Sequence, residues 1–274
     1  MRISLVQFSS GVDVDDNASR AARRVTEAAD AGADLVVFPE ATMASFAAGR
    51  LDVVAQSAER FAAAMAAAAR SAGVVVIAGM FLPADAVGGK NRIDNVAAVF
   101  YPDGRRETYA KMHCYDAFGY RESATVRPGT NLVTCEVAGT TVGLAVCFDI
   151  RFPEQFVKLA ARGAELIVVP ASWSAGPGKT EQWELLARAR ALDSTSVVAA
   201  VDQALPEGSD PEEPTGPPLG VGHSLVVGPD GQIVACAGRG EGLLTVDVDL
   251  EAVARVRRAI PVVALRGSEP LVEE

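Results

Sequence analysis

The sequence predicts a layered α/β domain in which helices pack against β-sheets. Short runs of β-branched residues alternate with alanine-rich stretches of helical spacing through much of the chain. Several apolar runs are also joined by tight turns, as in antiparallel hairpins. With 274 residues and a hydrophobic fraction of 49%, the chain is long enough to bury a sizeable core.

The first part of the chain alternates strands and helices. Asn17 is the expected N-cap of the first helix and Gly32 its stop. Phe61, Met65 and Ala68 give the second helix one apolar face. The predicted elements are a strand over 3–8, a helix over 17–31, a strand over 35–38 closed by Pro39, a helix over 53–72 and a strand over 74–78.

The second part begins with a hairpin. A Pro-Asp-Gly turn at 102–104 joins predicted strands over 95–100 and 107–110. Thr180 is the expected N-cap of a later helix, with Glu181 favourable in its first turn. The remaining predicted elements are strands over 142–146, 166–169, 197–201, 224–227 and 243–248, and helices over 153–162 and 180–192.

Two segments of the chain resemble each other. Residues 32–40 align with residues 163–171, and each segment follows a predicted helix. This repeat predicts two similar halves whose sheets pack face to face, with Glu40 kept in one half and Ala171 in the other. The alternative is that any helix–Gly–strand unit in an alanine-rich chain has this pattern.

No interdomain linker is visible, which predicts a single domain over 1–274, with a core over about 1–250 and a C-terminal tail over 251–274. The stretch 203–222 is rich in proline, glycine and acidic residues, which is typical of a solvated loop. It is either an insertion or a cover for a pocket.

Charge and cysteine usage exclude several classes of protein. The net charge of −10 and the pI near 4.8, without a dense basic block, argue against nucleic acid or an anionic membrane as a partner. No apolar stretch approaches the roughly 18–20 residues that span a bilayer, and the N-terminus has no signal-peptide pattern. Four scattered cysteines and two histidines predict neither a disulfide framework nor a zinc site, and favour a reducing, cytoplasmic location.

Three apolar runs stop abruptly at a reactive side chain, at Glu40, Lys111 and Cys147. A thiol nucleophile needs a base, which Glu40 can provide. A tetrahedral oxyanion needs fixed positive charge, which Lys111 and the backbone N–H of Phe148 can provide. Each residue alone has a plainer explanation, but together they predict an acyl-transfer site. Lys111→Ala is expected to remain folded but to lose about 10²–10³ of the rate, which would leave it nearly inactive.

The residues alone leave a second acyl-transfer arrangement open. In a Cys–His dyad, His113 or His223 would be the base for Cys147. His113 lies close to Lys111 in the sequence, so it is a candidate for the same site. Either histidine is equally explained as a structural group.

Three segments are similar to the signature segments of the nitrilase, or carbon–nitrogen hydrolase, superfamily. Their order and separations match those of the family. The segments are Val37-Phe38-Pro39-Glu40, Tyr109-Ala110-Lys111-Met112-His113, and Val146-Cys147-Phe148-Asp149-Ile150-Arg151-Phe152-Pro153-Glu154.

The resemblance implies a four-layer α-β-β-α sandwich that dimerises through its helical layers and uses no cofactor or metal. It implies Glu40 as base, Cys147 as nucleophile and Lys111 as the group that stabilises the tetrahedral intermediate. Glu122 matches the second glutamate of many members, which orients Lys111. In this family the histidine at the position of His113 is not the base.

Within the superfamily the chain is similar to Nit-type amidases, with two departures, at Phe148 and Cys114. The expected reaction is hydrolysis of a small linear primary amide to an acid and ammonia through a thioester. If the substrate carries a carboxylate, Arg151 is the nearby cation, unless it pairs with Glu154 or Asp149. Trp173 is a candidate pocket wall. The alternatives are a nitrile or N-carbamoyl substrate, or a non-catalytic oligomeric scaffold.

Overall fold

The computed structural model describes residues 1–117, 119–210, 212–213 and 216–266. The fourteen strands of this part are β1 (Arg2–Gln7), β2 (Leu35–Val37), β3 (Val75–Val87), β4 (Lys90–Phe100), β5 (Arg106–Ala110), β6 (Asp116–Ala117), β7 (Tyr120–Arg121), β8 (Thr134–Val137), β9 (Thr140–Leu144), β10 (Leu166–Ala171), β11 (Val197–Asp202), β12 (Leu225–Val227), β13 (Ile233–Cys236) and β14 (Gly242–Asp247). Its α-helices are α1 (Val14–Asp30), α2 (Leu51–Val54), α3 (Ala58–Ala72), α4 (Pro153–Ala161), α5 (Lys179–Ser194), α6 (Glu251–Ala259) and α7 (Val262–Arg266).

Two six-stranded sheets form the centre of the molecule. The first has the order β14-β1-β2-β3-β4-β5 and the second the order β13-β12-β11-β10-β9-β8. In each sheet three neighbouring strands are parallel, β1-β2-β3 in the first and β9-β10-β11 in the second. The carboxyl ends of parallel strands lie at one edge of a sheet, where side chains of the following loops meet.

The sheets pack face to face, as the internal repeat predicts. One continuous apolar core contains Leu5 and Val37 of the first sheet together with Val168 and Ala199 of the second. The two aligned segments supply β2 and β10, which lie at corresponding inner positions of their sheets.

Helices cover the outer face of each sheet and complete the four-layer sandwich predicted from the sequence. Val25 of α1 and Phe61 of α3 pack with Val36 and Val76 on the first sheet. On the other side, α4 and α5 bury apolar residues, including Phe156, Leu159, Trp183 and Ala187, against the second sheet.

Two predicted helix caps are wrong. Helix α1 begins at Val14, and Asp13 caps it by accepting hydrogen bonds from the N–H groups of Asp15 and Asp16. Asn17 is buried within the helix and bonds Gly11 instead. Helix α5 begins one residue before Thr180, and a glycine in the left-handed conformation occupies its N-cap position.

The described residues beyond 250, which the sequence predicts as a C-terminal tail, form two helices that pack on the domain. Helix α6 buries Val253 in the main core, and α7 packs against α4 and α5. Residues 267–274 lie outside the described part, as do Pro211, Pro214 and Thr215 of the predicted loop 203–222. None of the helices described is long and apolar enough to cross a membrane.

Candidate active site

The fold brings the four predicted catalytic side chains into one buried cluster. Glu40 follows β2, Lys111 follows β5 directly, and Cys147 follows β9. Glu122 opens a short 3₁₀ turn beyond β7. All four residues are at most 9% exposed. The strand ends therefore deliver a carboxylate, an ammonium and a thiol to the same place between the two sheets.

Lys111 lies between two carboxylates. Its Nζ is 3.0 Å from Oε1 of Glu40 and 3.1 Å from Oε1 of Glu122. Burial alone lowers the pKa of Lys111, but the negative charges of Glu122 and Glu40 outweigh it and hold the pKa well above its usual value. Lys111 is therefore an ammonium over the whole neutral range. A fixed cation in a buried site stabilises developing negative charge strongly.

Glu40 is fixed from three directions. Its Oε1 accepts from Lys111 and from Nδ2 of Asn95 at 2.7 Å, and its Oε2 accepts from the backbone N–H of Ser172 at 3.0 Å. The Nδ2 of Asn95 is also 3.5 Å from Oε1 of Glu122. Sequence reasoning missed Asn95, although a polar residue at the start of the apolar run 95–100 signals a buried partner.

Cys147 has a left-handed backbone, with φ of +47°. A residue other than glycine in this region costs about 1–3 kcal/mol, and such strain is found where the surrounding structure fixes a functional group. The Sγ lies 3.9 Å from the carbonyl oxygen of Ser172. Burial, followed by the negative charge of Glu40, raises the pKa of Cys147 well above its usual value. The resting side chain is therefore a neutral thiol, which a base would have to deprotonate before it could act as a nucleophile.

The protonated thiol gives a testable pH dependence. Alkylation of Cys147 by iodoacetamide is expected to accelerate with pH beyond about pH 8.5, the ordinary pKa of a thiol. The reason is that only the thiolate reacts, and burial beside Glu40 disfavours the thiolate. Labelling of the Cys147 peptide, followed by mass spectrometry across a pH series, measures this rate. A rate that is already constant near neutral pH would contradict the prediction.

Asp149 connects the loop that carries Lys111 to the turn that carries Cys147. The carboxylate is fully buried and accepts hydrogen bonds from the Tyr109 hydroxyl at 2.6 Å and from the Val146 N–H at 2.8 Å. Its other oxygen is bonded to the N–H and to Nδ1 of His113, at 3.0 and 2.8 Å. One carboxylate therefore holds in place the residues next to Lys111 and the residues next to Cys147. The sequence did not indicate this role for Asp149.

Replacing Asp149 by asparagine is expected to misalign the site. The amide has only one acceptor oxygen, so the free energy of unfolding falls by about 1–3 kcal/mol. A shift of the reactive groups by about 1 Å can lower kcat by about 10²-fold, and KM changes little. Thermal unfolding and steady-state kinetics measure both. Asp103→Asn is the control, because the side chain of Asp103 bonds only Arg105 within the described part of the chain, in the exposed hairpin turn. Equal effects of the two variants would contradict the prediction.

Neither histidine lies in the position of a base for Cys147. His113 is bonded to Asp149 through Nδ1, and its ring stacks on Phe152 at 3.6 Å. Nδ1 of His223 faces Glu184 at 3.4 Å. The contacts found within the described residues therefore favour Glu40 over the Cys–His alternative.

The predicted substrate-binding residues Phe148, Arg151 and Trp173 lie close together. The Arg151 guanidinium lies 5.2 Å from the Trp173 ring and 5.8 Å from the Phe148 ring. It donates to Oε1 of Gln182 at 3.0 Å, and Asp149 is bonded to Tyr109, Val146 and His113 instead. Among the described residues, no ion pair joins Arg151 to Glu154 or Asp149, the alternative considered above. Lys179 is a second cation here, which sequence reasoning missed. Burial and the positive charge of Arg151 lower the pKa of Lys179.

Described parts of the loop 203–222 contact the site. The Ser172 hydroxyl donates to the carbonyl of Pro218, and the N–H of Gly220 donates to the carbonyl of Trp173. A cavity of about 240 Å³ lies here. Its lining includes Ala41, Ser172, Gln203, Pro206 and Leu219, but neither Cys147 nor Lys111. The loop therefore forms part of the wall next to Glu40.

The four-layer sandwich and its buried acid–base cluster are typical of an enzyme that cleaves carbon–nitrogen bonds. The family model described as carbon-nitrogen hydrolase matches residues 2–258. The chain belongs to this family, as the three sequence motifs predict, and is a Nit-type member of the nitrilase superfamily. It is a hydrolase of non-peptide carbon–nitrogen bonds.

Known relatives cover the chain almost completely. Hydrolase Rv0480c from Mycobacterium tuberculosis is 46% identical over 280 residues, with 100% of this chain and 97% of that protein covered. Omega-amidase NIT2 from Xenopus tropicalis is 32% identical, with 95% and 93% covered. Among solved structures, an amidase from Nesterenkonia sp. AN1, with acrylamide added at its active-site cysteine, has a TM-score of 0.77 and 26% identity and covers 94% of this chain and 99% of its own.

Proposed function

We propose that this protein is a cysteine-dependent amidase that hydrolyses a small linear primary amide, carrying a carboxylate, to an acid and ammonia. The observation that supports this most is the position of Lys111, with Nζ at about equal distance from Glu40 and Glu122, in a buried site that also holds Cys147. This arrangement supplies a nucleophile, a base and a fixed cation without any cofactor.

In the first half of the reaction, Glu40 takes the proton from Cys147 and the thiolate attacks the carbonyl carbon of the amide. The developing oxyanion is stabilised by Lys111 and the N–H of Phe148. Protonated Glu40 then gives its proton to the leaving nitrogen, and ammonia departs. The acyl group remains on Cys147 as a thioester.

In the second half, a water molecule enters the place left by ammonia. Glu40 takes a proton from this water, which attacks the thioester carbonyl. Lys111 and the Phe148 N–H stabilise the second oxyanion as they did the first. Collapse of this intermediate releases the acid, and protonated Glu40 returns its proton to the sulfur, which restores the thiol of Cys147. Glu122 keeps the charge and position of Lys111 constant throughout, because its carboxylate stays bonded to Nζ at 3.0 Å while Glu40 exchanges protons.

Two cations close to each other support a carboxylate on the substrate. Arg151 lies against Trp173 and Phe148, and the charges of both Arg151 and Cys147 affect the pKa of Lys179. An anion bound near both groups would be stabilised by the two positive charges. The 32% identity to omega-amidase NIT2 also supports a substrate with its amide at one end and a carboxylate at the other.

Arg151→Met is expected to weaken binding of a carboxylate-bearing amide selectively. Loss of a charge-assisted contact of about 1.5–3 kcal/mol raises KM by about 10–100-fold. The matched control is the same variant with a neutral amide of equal chain length, whose KM stays within about twofold. Steady-state ammonia release measures both. An equal rise in KM for the two substrates would show that Arg151 does not bind the carboxylate.

The reaction class is tested by ammonia release from a panel of small amides, with and without a terminal carboxylate, beside nitriles and N-carbamoyl compounds. Rapid release from carboxylate-bearing amides alone is the expected result. Preference for nitriles or for N-carbamoyl compounds would identify the protein as a nitrilase or an N-carbamoyl hydrolase of the superfamily instead of an amidase. If the folded protein hydrolyses none of these compounds, the result would favour the non-catalytic scaffold.

We also propose that the chain is cytoplasmic and forms a homodimer, or a higher homo-oligomer, through its helical layers. Large apolar side chains are exposed there, including Leu185 at 65% and Leu192 at 50% on α5 and Leu265 at 58% on α7. Exposed apolar side chains grouped on one face are typical of an interface. Sedimentation equilibrium tests the oligomeric state.

A further inference from the structure

A second group of reactive side chains lies away from Cys147. Glu184 of α5, His223 before β12 and Cys236 at the end of β13 each offer a ligand atom, and these atoms lie within 4.8 Å of one another. The proposed amidase reaction uses none of them. Such a group of three occurs once among the residues that the structure describes.

The fold assembles this group from distant segments of the chain. Antiparallel pairing of β12 with β13 places Cys236 opposite Leu225, close to His223. The backbone of His223 is fixed, because its N–H donates to Gly238 and its carbonyl accepts from the indole N–H of Trp183. Trp183 precedes Glu184 on α5, so one hydrogen bond sets the distance between the helix and the histidine. Nδ1 of His223 then lies 3.4 Å from Oε1 of Glu184.

The histidine has unused hydrogen-bonding capacity. Nε2 of His223 is shielded from solvent and has no hydrogen-bond partner among the residues that the structure describes. A buried polar atom without a partner costs about 1–3 kcal/mol, so such atoms need an explanation. The 3.4 Å separation of Nδ1 from Oε1 of Glu184 suits two ligands of one ion, so the metal ion would bind Nδ1 and the ring proton would lie on Nε2.

We propose that Glu184, His223 and Cys236 form a binding site for a divalent transition metal of the Zn²⁺ class. Thiolate, imidazole and carboxylate are all ligands that Zn²⁺ accepts, at about 2.0–2.3 Å. Ligand atoms around one tetrahedral ion lie about 3.3–3.8 Å apart at these bond lengths, so only a small closure of the group is needed. Cys236 is exposed, so the ion can enter and a water molecule can complete its coordination.

The chemistry of the ligands also excludes other classes of ion. Ca²⁺ and Mg²⁺ prefer oxygen ligands only. A thiolate and an imidazole together select borderline or soft ions. The sequence predicts no zinc site because the three residues show no metal-binding spacing. A metal here would join β13, the edge strand of the second sheet, to α5.

The test uses the full chain with Cys147→Ala, because the thiol of Cys147 binds soft metals on its own. Titration with Zn²⁺ against a chromophoric chelator is expected to show one ion per chain. Cys236→Ser and His223→Asn, each added to this protein, are expected to lower the affinity about 10–100-fold. Cys114→Ser and His113→Asn are the matched controls and keep the full affinity, with folding checked by thermal unfolding.

A second measurement needs no substitution. Zn²⁺ is expected to protect Cys236 of the unmodified chain from iodoacetamide, but to leave the labelling of Cys114 unchanged, as mass spectrometry of the two peptides shows. The same affinity in Cys236→Ser, or no protection of Cys236, would overturn the metal site. Neither outcome bears on amide hydrolysis, because the titration measures no turnover.

Discussion

Cys147→Ala is expected to have no measurable amidase activity and an unchanged fold. In the proposed reaction the thiol makes the only covalent bond to the substrate, and removing such a nucleophile lowers kcat on the order of 10⁶-fold. Alanine fits the site because Cys147 is buried against apolar neighbours and its Sγ makes only a long contact, at 3.9 Å, with Ser172. Ammonia release and thermal unfolding of the purified variant measure the two effects.

Cys135→Ala is the matched control. Cys135 is also a buried thiol, but it packs in the core between the sheets and takes no part in the proposed chemistry. Its replacement removes a similar volume and leaves kcat unchanged. Turnover by Cys147→Ala at more than about one thousandth of the wild-type rate would contradict the role of Cys147, because the nucleophile is expected to contribute more than this.

Lys111→Met is expected to lower both activity and stability. Loss of one oxyanion donor costs about 10²–10³ in kcat. The structure adds an effect that the sequence did not indicate. Methionine leaves the buried carboxylates of Glu40 and Glu122 without their cation, and breaking a buried ion pair in this way costs about 3–5 kcal/mol. Denaturant unfolding at neutral pH measures the loss.

The double variant Lys111→Met/Glu122→Gln separates these two effects. Removing one of the two uncompensated charges is expected to restore part of the free energy of unfolding, whereas kcat stays low because the oxyanion donor is still missing. Lys158→Met, on the surface of α4, is the control and leaves both quantities unchanged. If Lys111→Met were as stable as the wild type, the account of Lys111 as a bridge between two buried anions would be wrong.

The sequence predicted the sheets and three site residues for a physical reason. Apolar strands that end abruptly at Glu40, Lys111 and Cys147 indicate groups delivered to a strand end, and the structure places all three together. Glu122 followed only from family resemblance, because it lies in a short 3₁₀ turn without any periodic pattern. Local patterns specify which strand a side chain follows, but not what it contacts.

The other residues of the site depend on contacts between distant segments. Asn95, Asp149 and Lys179 are ordinary polar residues in the sequence, and their roles appear only when β4, the turn after β9 and the start of α5 are brought together. The N-cap of the first helix was predicted wrongly for a similar reason. Asn17 has the residue type of a cap, but its side chain is buried and spans from Gly11 to Met43.

The measurement that tests the central claim most directly is trapping of the acyl group with hydroxylamine. The best amide of the panel and an ester of the same acid are each turned over in its presence, and the ratio of hydroxamate to acid is measured. A common thioester on Cys147 predicts the same ratio from both substrates, with no hydroxamate from Cys147→Ala. Ratios that differ between amide and ester, or acid formed without hydroxamate, would contradict a shared acyl-enzyme.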